Sequence, residues 1–164
     1  MSVSGTILRT TPLNVVPNTV NEQVVQTITL PTKLLSGNER GLAFFVWGST
    51  AANSNNKEAV IRLNSITGTV LADTTAVAAN AKGWLIWLWL FRTGPNTQDF
   101  ISESEMGTTQ NVIFGQLTQN SNTGLTTFVI TLNNATVAND STLRGWNVDL
   151  LTEGGIQSAS GVLL

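Results

Sequence analysis

Residues 84–91, WLIWLWLF, form an unbroken apolar run in a chain otherwise rich in threonine, asparagine and serine. In a β-strand, alternate side chains point to opposite faces of the sheet. Because both faces of this strand would be bulky and apolar, we expect a second sheet to cover one of them and a partner subunit to cover the other. The first face carries Trp84, Ile86, Leu88 and Leu90, and the predicted subunit interface consists of Leu85, Trp87, Trp89 and Phe91.

The composition favours an all-β fold. Of the 164 residues, 41% are apolar and only 11% are charged, whereas about 25% are charged in an average soluble protein. Threonine favours strands, and asparagine and glycine favour turns. Strand patterns separated by turn residues occur at 6–10, 23–30, 41–48, 58–64, 69–72, 84–93, 98–105, 112–117, 125–132 and 143–151.

Eight to ten short antiparallel strands are typical of a β-sandwich, and we predict a single-domain jelly roll. An immunoglobulin-like sandwich is the alternative, but it is usually shorter and its Cys…Trp…Cys pattern is absent. We expect the domain to span residues 1–153 and residues 154–164 to form a C-terminal tail, flexible or docked on a neighbour. The alanine-rich stretch 72–82 is compatible with a helical turn or with a loop.

Several classes of function are not indicated by the sequence. The net charge is −2 and the eight Lys and Arg residues are scattered, so we expect no nucleic-acid binding. Cysteine is absent, which fits assembly in a reducing cytoplasm. The start of the chain, MSVSGTILRTTPLNVVP, lacks the features of a signal peptide, and no apolar run approaches the roughly 20 residues of a membrane helix. We therefore expect no membrane association.

The residues needed for common enzyme mechanisms are largely missing. Histidine and tyrosine are absent, which excludes Ser-His-Asp and Cys-His systems and the commonest metal ligand. The acidic stretch 98–105 places Asp99, Glu103 and Glu105 on one strand, where a pair of carboxylates could serve a glycosidase. A charged edge strand that resists pairing explains them better. We predict that the protein is not an enzyme.

Metal and cofactor sites are likewise not predicted. Oxygen ligands for Ca²⁺ occur at Asp140, Asp149 and Glu153, but they lack the spacing of an EF-hand loop. No phosphate-binding glycine motif is present. We expect neither a metal nor a cofactor.

The segment 47–57, WGSTAANSNNK, predicts a tight loop held by its own asparagine side chains. We expect Trp47 and Trp146, which lie near strand ends, to be the more exposed tryptophans. Together with the loop they form a candidate contact surface for a partner or a glycan. Its residues are Trp47, Asn53, Asn55, Asn56, Lys57 and Trp146.

Residues 41–105, about 40% of the chain, resemble virion structural proteins of tailed bacteriophages that have a jelly-roll fold. The resemblance consists of an AAN-x-N-x-K loop followed by a tryptophan-rich strand that ends in Arg-Thr-Gly. The matching positions are Ala51, Ala52, Asn53, Asn55, Lys57, Trp84, Arg92, Thr93 and Gly94.

The resemblance implies a homotrimer that acts in the virion, assembled in the host cytoplasm, with the major capsid protein or another virion protein as its partner. Our first hypothesis is therefore a capsid decoration or cement protein. The alternative is a glycan- or receptor-binding head of a tail fibre or spike.

Overall fold

The computed structural model describes residues 5–10, 15, 17–37, 40–134 and 136–152, and these form an all-β fold without a helix. The strands are β1 (Gly5–Thr10), β2 (Gln23–Thr29), β3 (Gly41–Thr50), β4 (Asn56–Leu63), β5 (Val70–Asp73), β6 (Val77–Ala78), β7 (Gly83–Gly94), β8 (Thr97–Met106), β9 (Thr109–Leu117), β10 (Thr127–Asn133) and β11 (Ser141–Leu151).

The strands form two antiparallel sheets packed as a sandwich. The six-stranded sheet has the order β1-β11-β3-β7-β8-β9, and the second sheet has the order β2-β10-β4-β5, with the short β6 paired to the start of β4. The chain passes from one sheet to the other between β1 and β2, between β2 and β3, between β3 and β4, between β5 and β7, and on both sides of β10. The predicted all-β sandwich is confirmed.

All ten predicted strand segments are present, with ends shifted by a few residues. The eleventh strand, β6, lies in the alanine-rich stretch that allowed a helical turn. There Thr75 and Ala81 have φ of 58° and 49°, and such left-handed residues interrupt a helix. The stretch instead forms a loop with one two-residue strand.

The core lies between the inward faces of the two sheets. Phe44 of β3 packs on Phe128 of β10 with ring centroids 4.7 Å apart, which joins the two sheets at the centre. Around this pair the core is mainly aliphatic, as expected for strands whose alternate residues face a second sheet. Its fully buried members include Ile28, Leu42, Ile61, Leu63, Leu71, Ile86, Leu88, Leu90, Ile130, Leu132 and Val148.

The strand that carries the acidic stretch is not an edge strand, so that part of the sequence interpretation is wrong. β8 pairs with β7 on one side and with β9 on the other. Its inner face is partly polar, and two of its polar side chains have partners inside the sandwich: Gln98 donates to the carbonyl of Gln119 at 2.8 Å, and Ser104 donates to the carbonyl of Asp73 at 2.6 Å. The edge position belongs to β9.

The predicted tail, 154–164, lies outside the described residues. Among the residues that the structure describes, no helix is long and apolar enough to cross a membrane.

Candidate functional site: an exposed aromatic face and a cleft at its end

The two faces of β7 have different environments. Trp84, Ile86, Leu88 and Leu90 point into the core, and each is at most 2% exposed. The other face points away from the sandwich, where Trp87 and Phe91 are each 38% exposed and Leu85 and Trp89 are half-buried. The expected cover by a second sheet is therefore confirmed for the first face. The role of the second face as a subunit interface stays a prediction.

Neighbouring strands extend this second face into a continuous apolar surface. Register places Phe45 of β3 opposite Trp87, and places Ile101 of β8 between Trp89 and Phe114 of β9. Phe114 is 81% exposed, the highest value among the large apolar side chains that the structure describes as exposed. We call this surface the outer aromatic face. Its residues are Phe45, Trp47, Leu85, Trp87, Trp89, Phe91, Ile101, Val112 and Phe114.

Four of its rings stack in a series across two strands. Phe45 stacks on Trp87 with centroids 4.0 Å apart and on Trp47 with centroids 5.0 Å apart, and Trp87 stacks on Trp89 at 5.9 Å with planes 8° from parallel. Because rings that stack cover each other's faces, Phe45 and Trp87 are poorly placed to present a free ring to a sugar. Trp47, at one end of the series, has a single stacked partner among the described rings.

The three carboxylates of β8 lie on the same outer surface as the aromatic rings. Glu103 lies opposite Trp87 and Val112, Glu105 lies opposite Leu85, and Asp99 accepts a hydrogen bond from Gln116 at 2.9 Å. Asp99 and Glu103 are exposed. They introduce negative charge beside the aromatic rings.

A cleft of about 440 Å³ opens where the outer aromatic face meets the start of β7. We call it the end cleft. Trp47, Phe45 and Leu85 form its apolar walls, and Lys82 and Glu105 supply opposite charges. Gly83, Trp84 and Gly107 complete its lining.

The asparagine-rich loop is held in part by its own side chains, as predicted, since the backbone N–H of Asn55 donates to Asn53 Oδ1 at 3.1 Å. It also forms a polar cluster with residues from elsewhere in the chain. Lys57 is 0% exposed and its Nζ donates to the carbonyl of Asn53 at 2.8 Å, to Asn53 Oδ1 at 2.6 Å and to the carbonyl of Ala79 at 2.8 Å. The carboxylate of Asp140 accepts from the side-chain amides of Asn53 and Asn55, both at 2.9 Å. Burial lowers the pKa of the Lys57 ammonium, and the charge of Asp140 opposes that change.

This cluster alters the expected contact surface of the loop. Lys57 is enclosed, so the expectation that it touches a partner or a glycan is wrong in the free chain. Asn53 and Asn55 are half-buried because their amides hold Asp140, and Asn56 is exposed. The expectation for Trp146 is also wrong, because it is 6% exposed and packs in the core.

The candidate calcium ligands do not come together. Asp140 is held by the two asparagine amides, and Asp149 accepts from Asn147 at 3.1 Å, whereas position 153 lies outside the described residues. Within the described ranges, no group of three or more acidic side chains is arranged to hold a metal ion.

Sequence reasoning did not identify β9 or the end cleft as parts of the site. The sequence feature that could have identified β9 is the alternation of its apolar residues, since Val112 and Phe114 lie two residues apart in a strand without charged residues. The cleft depends on the long-range pairing of β3 with β7 and on the register of the β7–β8 hairpin, which together bring Trp47, Leu85 and Glu105 into one row. That pairing cannot be inferred from local spacing.

No family model matches the chain, and no curated protein matches its sequence. Solved structures resemble it at low identity. A protein of unknown function from Shewanella oneidensis MR-1 has 12% identity and a TM-score of 0.47, over 91% of this chain and 75% of that one. The CBM2 module of the evolved Dit of Lactobacillus casei BL23 phage J-1 has 8% identity and a TM-score of 0.44, over 83% and 75%. VP2 of infectious bursal disease virus has 12% identity and a TM-score of 0.34, over 93% and 32%.

Proposed function

We propose that this chain is a non-enzymatic structural protein that assembles through its outer aromatic face. The observation that carries the proposal is the exposure of large apolar side chains on one sheet face: 38% for Trp87, 44% for Ile101, 57% for Val112 and 81% for Phe114. Contiguous exposed apolar surface of this kind marks interaction sites in soluble proteins.

The size of the face fits a subunit interface. The exposed parts of its large side chains amount to on the order of 500 Å², which approaches the ~800 Å² per partner of a standard interface once a polar rim is included. Covering that apolar area contributes about 10 kcal/mol before association costs are subtracted. Those costs consume much of the gain, and we expect the remainder to favour a stable assembly.

The edge strand supports the same proposal. β9 is nine residues long, TQNVIFGQL, and contains neither a charged residue nor a proline. Natural proteins usually protect an edge strand with such residues. An edge without them beside an exposed Phe114 is best explained by cover from another subunit.

The finer proposal is a homotrimer in the virion of a tailed phage, where it decorates or cements the capsid and contacts the major capsid protein. Its support is the resemblance of residues 41–105 to virion structural proteins, together with a surface suited to self-assembly. The second candidate is a glycan- or receptor-binding head of a fibre or spike. The end cleft beside Trp47 is the observation that favours it.

The proposal is tested by measuring the mass of the purified chain by light scattering over a dilution series. We expect three times the mass of one chain, persisting to low concentration. Phe114→Glu should give a folded monomer, because this side chain makes few contacts within the subunit and only an interface would bury the new charge.

The matched control is Thr29→Glu, which adds the same charge at an exposed position of the other sheet. It should assemble normally. A monomeric wild-type chain, or a Phe114→Glu variant that assembles as well as the control, would contradict the proposal. A dimer would retain the face as an interface and exclude the trimer.

A further inference from the structure

The end cleft combines features that suit a small polar ligand. Its volume of about 440 Å³ lies within the usual range of ligand sites, roughly 300–1,000 Å³. Its walls are mainly apolar, with a few polar groups at fixed places. Such a mixture is typical of a site that binds by shape and orients its ligand through a few hydrogen bonds.

The ring of Trp47 is the apolar element best placed to hold a ligand. It is half-buried and stacks on Phe45 through one face. Phe45 and Trp87 each stack on two rings, so among the four stacked rings the free faces lie at the ends of the series. An aromatic face of this kind packs well against the C–H face of a pyranose ring.

The charges in the cleft fit a neutral ligand with many hydroxyl groups. Glu105 supplies acceptor atoms and Lys82 supplies donors, and neither side chain has a hydrogen-bonding partner within the described part of the chain. A hydroxyl group both donates and accepts, so vicinal hydroxyls satisfy both residues. An anionic or cationic ligand would instead meet one residue of its own sign.

Glycine keeps the cleft open at its base. A Cβ atom at Gly83 would lie 3.9 Å from the nearest neighbouring atom, the carbonyl oxygen of Gly48, so a side chain there would enter empty space. Gly83 is exposed on the same face of β7 as Leu85. Gly107 has φ +67° in the turn between β8 and β9, a conformation that glycine adopts without strain.

We propose that the end cleft binds a neutral saccharide, with a pyranose ring stacked on Trp47 and its hydroxyl groups bonded to Glu105 and Lys82. The inference develops the second candidate function and is independent of self-assembly. In the assembled protein the cleft would lie at the rim of the interface, because Trp47 and Glu105 form the end row of the outer aromatic face.

The test is saturation-transfer difference NMR on the full chain with the methyl glycosides of glucose, galactose, mannose and N-acetylglucosamine. We expect at least one glycoside to bind, with the strongest transfer to the ring protons that face Trp47. Gly83→Val should abolish binding because its Cβ has open space and the side chain would occupy the cleft. Thr29→Val, which places valine at an exposed position of the other sheet, should bind normally.

Glu105→Gln removes the charge at constant volume and should weaken binding at least about fivefold. If Gly83→Val does not fold, Glu105→Gln alone tests the proposal. Absence of transfer to all four glycosides, or equal binding by the wild type and both cleft variants, overturns the proposal. Light scattering on the same samples separates this result from assembly, because loss of binding without a change in mass concerns the cleft alone.

Discussion

At the scale of single residues, Lys57 shows how a charge is accommodated inside this sandwich. Its ammonium has three oxygen acceptors within 2.8 Å, two of them from Asn53. Asn53 in turn donates to Asp140, which precedes β11. One asparagine therefore links a buried lysine to a buried aspartate, and it fixes the loop between β3 and β4 against the start of β11.

Asn53→Ala should destabilise the fold by about 2–4 kcal/mol, because it leaves the ammonium of Lys57 and the carboxylate of Asp140 each short of a buried partner. We expect the oligomeric state to be unchanged, since none of the side chains of the cluster belongs to the outer aromatic face. Urea denaturation and light scattering measure the two effects. The control is Asn56→Ala at the first position of β4, whose exposed side chain should be dispensable.

Glu58 on β4 provides a prediction about pH. Burial raises its pKa, the charges of Asp73 and Glu22 act in the same direction, and a hydrogen bond from Asn133 opposes them. A carboxyl group whose pKa is higher in the folded state lowers stability above that pKa, where the folded state must hold the charge. The penalty disappears as the pH falls below it.

Glu58→Gln should therefore raise the melting temperature at neutral pH, and the gain should vanish in acid, where the wild-type carboxyl group is protonated. Melting curves of the two proteins across that pH range test this. A gain that is the same at both ends of the range would show that charge is not its cause.

At the scale of one element, the two faces of β7 have different roles. One face packs in the core and stabilises the fold, and the other belongs to the outer aromatic face, through which we propose that the protein assembles. Leu88 is 0% exposed in the core, whereas Trp87, its neighbour in sequence, is 38% exposed on the outer aromatic face. The alternation of side chains along β7 was therefore sufficient to assign each side chain to one of the two faces. It did not predict the contribution of β9, because the pairing of β8 with β9 depends on a turn at Gly107 and on register.

Leu88→Ala should cost about 2–5 kcal/mol of unfolding free energy through the cavity that it leaves. Trp87→Ala should cost less, about 2 kcal/mol for its two stacked ring pairs, but should weaken assembly strongly. The losses of folding stability are best measured by denaturation in a Phe114→Glu background, where we expect a monomer. The effect on assembly is measured by light scattering in the wild-type background. Equal losses of folding stability would contradict the assignment of faces.

At the scale of the whole molecule, the outer surfaces of the two sheets differ. The smaller sheet carries Thr27, Thr29 and an ion pair between Arg62 and Glu22 with atoms 2.8 Å apart, whereas the larger sheet carries the aromatic rings. The sequence predicted the sandwich and most strand positions, because alternation and turn residues are local signals. It did not predict that Trp146 is buried or that β8 is interior, because these depend on the order of strands in the sheet.

The positions of the tryptophans also allow their fluorescence to report separately on unfolding and on assembly. Trp84 and Trp146 are inside the sandwich, Trp47, Trp87 and Trp89 are on the outer aromatic face, and the chain has no tyrosine. Unfolding would shift the emission of the two inner indoles to longer wavelength, whereas cover of the outer face would shift the other three to shorter wavelength. The near-parallel indoles of Trp87 and Trp89 should also couple electronically and give a circular dichroism band that disappears when either ring is removed.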